Sequence, residues 1–122
     1  MRGAKDYLLV IYTLQRDYKV ARVRDVANHL GLTKAAVTMT VKGLVRRGLV
    51  KHERYGYIEL TPQGESLAVP LYVSVQKLVD IFRELGMSSA IARSTAEYIV
   101  VGAPGNVLSQ FLAALEAFKK RG

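Results

Sequence analysis

Between residues 22 and 64 the apolar spacing changes period, and few folds can follow the change. The stretch reads RVRDVANHLGLTKAAVTMTVKGLVRRGLVKHERYGYIELTPQG. Residues 24–30 place Val26, Ala27 and Leu30 on one side of a short helix. Gly31-Leu32-Thr33 is a tight connector. Gly31 permits a sharp turn, and the Thr33 hydroxyl can accept an orphan amide hydrogen at the start of the next helix. Residues 34–47 then repeat Val37, Val41, Leu44 and Val45 at helical spacing. Gly48 stops that helix, as glycine does where a left-handed residue is needed. Two short β-rich runs follow, 49–52 and 57–60, joined by the turn Glu53-Arg54-Tyr55-Gly56. Helix, glycine turn, helix, strand, turn, strand is the order of a winged helix-turn-helix.

The flanks are helical. Residues 5–16, KDYLLVIYTLQR, carry an apolar face of Leu8, Ile11, Tyr12 and either Leu14 or Gln15, and residues 17–22 break the pattern. Thr61-Pro62 opens a helix, with threonine as cap and proline at the first position, where its missing N–H costs nothing. That helix is expected over 62–85, with Leu67, Leu71, Val75, Leu78, Phe82 and Leu85 as its stripe and a kink at the interior Pro70. Ser88 or Ser89 caps a further helix through Val101, and Gly102-Ala103-Pro104-Gly105 breaks it. Asn106 is expected to cap a last helix to about Lys120. The expected fold is mainly α with a small β-hairpin wing. Residues 1–64 form a winged helix-turn-helix and residues 65–122 a helical dimerisation region.

Charge points to the partner. The chain carries 18 Lys and Arg against 10 Asp and Glu, a net +8. Residues 1–66 hold twelve basic and six acidic side chains, and 67–122 hold six and four. A basic half joined to a nearly neutral, apolar half suggests a polyanion-binding module with an association module, and double-stranded DNA is the polyanion such a fold takes. The absence of cysteine removes disulfide frameworks, thiol nucleophiles and iron–sulfur clusters. His29 and His52 are too far apart for a paired metal motif, no GxSxG occurs, and the carboxylates make no recognisable catalytic pair, so no enzyme is expected. The longest apolar run, residues 67–73, contains Pro70 and falls well short of the roughly 20 residues of a membrane span. With no signal-peptide pattern at its start, the chain is expected to be cytoplasmic.

In the second helix of the motif the buried stripe leaves Lys34, Ala35, Thr38, Met39 and Lys42 on the opposite face. Small residues there let a helix enter a major groove, and basic ones meet phosphates. Thr33, Lys34 and Lys42 are expected mainly on phosphates, and Ala35, Thr38 and Met39 near the bases. Arg54 and Tyr55 at the hairpin tip would reach a phosphate or the neighbouring minor groove. Leu71, Val75, Phe82, Phe111, Leu112 and Leu115 are the candidate interface of a homodimer. Two other readings stay open: a winged-helix protein–protein module of the transcription machinery, and a regulator responding to a small ligand, similar to multiple-antibiotic-resistance regulators.

The chain resembles the metal-dependent repressors of the diphtheria toxin repressor and manganese transport regulator family over nearly its whole length. DYLLVIYTL is similar to that family's first helix, ARVRDVANHLGLTKAAVTMTVKGLVRRGLV to its helix-turn-helix, and YGYIELTPQG to its wing and following helix start. LVDIFRELG and APGNVLSQFLAAL are similar to its dimerisation segments. The resemblance implies a homodimeric DNA-binding transcriptional regulator, a repressor. It also implies a divalent iron or manganese site, held by Asp and often Glu on the first helix, His on the fourth, and Glu-x-x-Glu-His on the fifth. Asp6 matches the first ligand, but Leu9 stands at the helix-one Glu, and Ser74 or Val75 at the His. With Glu97 at the first Glu of the fifth helix, Val100 and Val101 replace the Glu-His pair. Two carboxylates without a nitrogen donor make a poor transition-metal site, so no metal and no other cofactor is expected; the competing reading is a relocated site using His29 or His52.

Overall fold

The computed structural model describes residues 3–53 and 56–122. Its first helix, α1 (Ala4–Tyr18), is enclosed more completely than one apolar stripe requires. Tyr7, Leu8, Leu9, Val10 and Ile11 are all buried in succession, and Leu14 joins them. A helix covered on most of its faces serves as a core element, not a surface one. Gln15 does not compete with Leu14 for the core: its side-chain carbonyl accepts the Leu60 N–H at 3.2 Å. Helix α1 ends at Lys19, in the left-handed conformation with φ 70°, its N–H donating to the Gln15 carbonyl at 2.9 Å.

The break expected over 17–22 contains a strand. β1 (Ala21–Arg22) pairs antiparallel with β3 (Tyr57–Leu60), and β3 pairs antiparallel with β2 (Val50–His52). The expected two-stranded hairpin is therefore one side of a three-stranded sheet of order β1-β3-β2. Two residues are too few to show a period, so β1 is invisible until its partner comes alongside. The hairpin turn closes through Gly56 N–H to the Glu53 carbonyl at 3.1 Å, with Gly56 at φ 85°.

Helices α2 (Val23–Leu30) and α3 (Lys34–Arg46) form as the pattern predicts. Gly31 sits at φ 68°, and the Leu32 N–H reaches back to the Ala27 carbonyl at 2.9 Å. Val26, Ala27, Leu30, Val37, Val41 and Leu44 are buried together with Ile58 and Leu60 of the sheet and Leu8, Ile11 and Leu14 of α1. Thr61 joins the sheet to α4 (Pro62–Glu84). Its hydroxyl accepts the Gly64 N–H at 3.0 Å and donates to the Gly48 carbonyl at 2.7 Å. Its N–H donates to the Leu49 carbonyl at 3.0 Å. One threonine thus caps α4 and pins that cap to the end of α3 and the start of β2.

The chain forms two compact units, residues 1–72 and 73–122, and α4 runs through the division, continuous past Pro70. In the second unit α4 is followed by α5 (Ser89–Gly102) and α6 (Gly105–Arg121). The Ser88 side chain caps α5, accepting the Ile91 N–H at 3.4 Å. Arg93 of α5 donates to Gln76 of α4 at 2.6 Å, and Lys119 of α6 meets Glu84 of α4 at 3.0 Å. The Asn106 cap does not form. Helix α6 starts two residues earlier, at Gly105, with Pro104 in the cap position and the Leu108 N–H on its carbonyl at 2.9 Å. Proline presets the φ of the cap position but offers no side-chain acceptor, and α6 begins without a side-chain cap. Among the described residues, no helix is long and apolar enough to cross a membrane.

Candidate nucleic-acid interface

The geometry of α3 follows from its two ends. Thr33 accepts the Ala36 N–H at 3.1 Å, which satisfies one of the free amides of the first turn. Val37, Val41 and Leu44 then hold the helix to the core. The opposite side is open. Lys34, Ala35 and Lys42 are exposed, Met39 is 74% exposed, and Thr38 is half-buried on the flank. The five residues that the pattern groups thus do share one accessible face, behind a capped N-terminus. Arg46 extends it by another turn and is absent from the candidate set above; the signal for it was the continued i, i+4 step from Lys42. Among the described residues, no ion pair engages Lys34, Lys42 or Arg46, so their charges face solvent unneutralised.

The wing is anchored from behind. Arg22 of β1 stacks on the Tyr57 ring, 5.2 Å from its centre, and donates to the Tyr57 hydroxyl at 3.3 Å. Tyr57 is therefore half-buried at the root of the wing. Arg54 and Tyr55 lie outside the described residues.

The candidate dimer residues separate into two groups. Val75 is 0% exposed and Phe82 9%, so both are enclosed within a single chain and have almost no surface to offer a partner. Leu71, Leu112 and Leu115 are half-buried and Phe111 is 37% exposed. None of the 17 residues of α6 is buried, and Val107 and Phe118 are openly exposed beside Phe111.

The residues at the positions that the resemblance links to metal do not fit a transition-metal ion. Asp6 works as a helix cap, its Oδ2 accepting the Gly3 N–H at 3.1 Å. Leu9, Val75 and Val100 are buried aliphatic side chains with no donor atom. Among the described residues, no group of three His, Cys, Asp or Glu side chains is arranged to hold an ion.

Comparison with known proteins gives this geometry a lineage. Residues 1–58 match the family described as iron dependent repressor, N-terminal DNA binding domain. The chain is 31% identical over 116 residues to the transcriptional regulator MntR of Escherichia coli, covering 95% of this chain and 72% of that protein. It is 32% identical over 83 residues to the HTH-type transcriptional regulator MntR of Lysinibacillus sphaericus, covering 68% of this chain and 60% of the relative. The crystal structure of T. acidophilum IdeR shares its fold at a TM-score of 0.75 and 19% identity, covering 95% of this chain and 55% of that one. The chain thus spans between about half and three quarters of the length of the proteins it matches. These curated relatives are transcriptional regulators and not enzymes, in line with the missing catalytic motifs. A winged helix-turn-helix of this order, matched along almost the whole chain at this identity, places the protein: it belongs to the diphtheria toxin repressor and manganese transport regulator family of iron-dependent repressors.

Proposed function

We propose that the protein is a DNA-binding transcriptional repressor that acts as a homodimer and needs no divalent cation. The exposed face of α3 carries the reading: small residues at its leading end, flanked by unneutralised lysines, behind a capped helix start. Lys34 and Lys42 serve phosphates, joined by Arg46. Thr33 has one lone pair committed to its cap but keeps its O–H for a phosphate oxygen. Ala35, Thr38 and Met39 lie nearest the bases, where apolar contact with thymine methyls suits them. No Arg, Asn or Gln stands among these three, so direct readout is modest and DNA shape contributes correspondingly more.

The unburied apolar face of α6 supports the dimer, with Leu71, Phe111, Leu112 and Leu115 as its contacts. A two-fold axis would set two α3 helices about 34 Å apart on one side of the duplex and favour a palindrome. Light scattering is expected to give twice the 13.5 kDa chain mass at micromolar concentration; a 13.5 kDa species would contradict the dimer.

Metal independence is supported by the chemistry of the side chains just described, since an ion there would face hydrocarbon. The experiment is a fluorescence anisotropy titration of DNA at about 50 mM salt, where electrostatic binding is strongest. It is run with excess chelator and again with manganese or iron(II). Binding is expected throughout, with equal affinity. No binding at low salt would remove the DNA-binding reading, and a tenfold gain on adding metal, about 1.4 kcal/mol of coupling, would remove the metal-free one.

A further inference from the structure

On the first unit a cation lies against a pair of aromatic rings. Arg16 lies in the last turn of α1, and its guanidinium carbon is 5.0 Å from the centre of the Tyr72 ring and 5.9 Å from that of Tyr12. The two rings meet edge to face, 5.2 Å apart at 65°. Tyr12 stands one turn before Arg16 on α1, whereas Tyr72 belongs to α4 and is the last residue of the first unit. The guanidinium is charged at any ordinary pH, and its neighbours Tyr12 and Tyr72 raise its pKa further, Tyr12 most. A surface arginine ordinarily keeps its freedom in water. A guanidinium held within cation–π distance of two rings gives up less on being fixed, and it joins the elements that carry those rings.

That joint falls where the chain leaves the first unit. A dimer gains affinity on a two-site duplex only if both recognition helices engage together, and a small error in geometry removes the second engagement while leaving the first intact. We propose that Arg16, held against Tyr12 and Tyr72, is a positioning residue for DNA binding: it fixes α4 on α1 at the edge of the first unit and so sets the geometry in which two α3 helices meet two half-sites. This rests on the homodimeric DNA-binding reading above.

The test uses the full chain and a palindromic duplex selected from random sequence with the wild-type protein, together with the same duplex cut to one half-site. Arg16→Ala is expected to lose about tenfold on the palindrome and less than twofold on the half-site, with its thermal midpoint nearly unchanged. Arg16→Lys keeps the charge without the plane and should recover only part of the loss. Tyr72→Leu should match Arg16→Ala, and the double variant should be no worse than either, because one contact has been removed twice. Equal affinity of Arg16→Ala and wild type on the palindrome overturns the proposal. So does an equal loss on both duplexes, which would make Arg16 a phosphate contact. Failure of the wild type to select any duplex sinks the DNA-binding reading and this proposal with it, so the two failures are told apart by the wild-type arm.

Discussion

Replacing Gly64 by alanine tests the packing argument at the position where the structure leaves least room. A Cβ built on Gly64 runs into the carbonyl oxygen of Leu49, and it comes within 2.9 Å of the Leu49 carbonyl carbon and 3.3 Å of its Cα. All three are backbone atoms, so no side chain can swing aside. The first turn of α4 would have to lift away from β2, and the bonds that tie them are the Thr61 N–H to Leu49 at 3.0 Å and the Thr61 hydroxyl to Gly48 at 2.7 Å. Overpacking costs about 1–3 kcal/mol. Each weakened hydrogen bond adds about 1 kcal/mol. Alanine returns about 1 kcal/mol through its better helix propensity. The balance is a destabilisation of about 3 kcal/mol, a fall on the order of 10 °C in melting temperature for a chain of this size. Differential scanning calorimetry measures it. Gly43→Ala is the control, because that glycine also lies inside a helix but its Cβ would meet only the far end of the Arg46 side chain, at an ordinary contact distance of 3.8 Å. That variant should gain up to about 1 kcal/mol. If Gly64→Ala melted at or above the wild-type temperature, the close approach of α4 to β2 would be wrong as described.

Thr33→Ala removes the acceptor of the Ala36 N–H and should cost about 1 kcal/mol in a denaturant titration, whereas Thr33→Ser should cost much less. Lys19→Gly relieves a left-handed φ of 70° and should stabilise by up to about 1 kcal/mol, the relief being partly offset by glycine's entropy; a lower melting temperature would mean the lysine side chain compensates. If Arg46 contacts a phosphate, Arg46→Ala should reduce the slope of log affinity against log salt by about 1, and an unchanged slope would place it off the DNA. Lys119 has its pKa raised first by its hydrogen bond with Glu84, so the pair's contribution is complete below the ordinary lysine range and is lost as pH rises through the raised value. Glu84→Gln should bring the Lys119 titration back down in an NMR experiment, and no movement would deny the contact.

The candidate DNA face was legible in the sequence because everything that defines it is local. The step from Val37 to Val41 to Leu44 says which side of α3 is buried, and the residues left over are the accessible ones. Gly31 and Thr33 mark the turn and the cap through backbone rules that act within four residues. The continued step to Arg46 was equally available. The family was legible for the same reason, since its segments follow one another along the chain in matching order.

Only the tertiary structure decided which elements cover one another. β1 exists because Ala21 and Arg22 lie against Ile58 and Tyr57, some 35 residues away, and no local period announces a two-residue strand. The glycine at position 64 reads as an ordinary helix residue until the Leu49 carbonyl is found beside it. Val75 and Phe111 look alike as members of apolar stripes, yet one is sealed within the chain and the other stands open. Periodicity reports the direction in which a side chain points, which the backbone sets within one turn. Burial depends on what arrives from elsewhere in the chain, and that is settled only when distant segments pack.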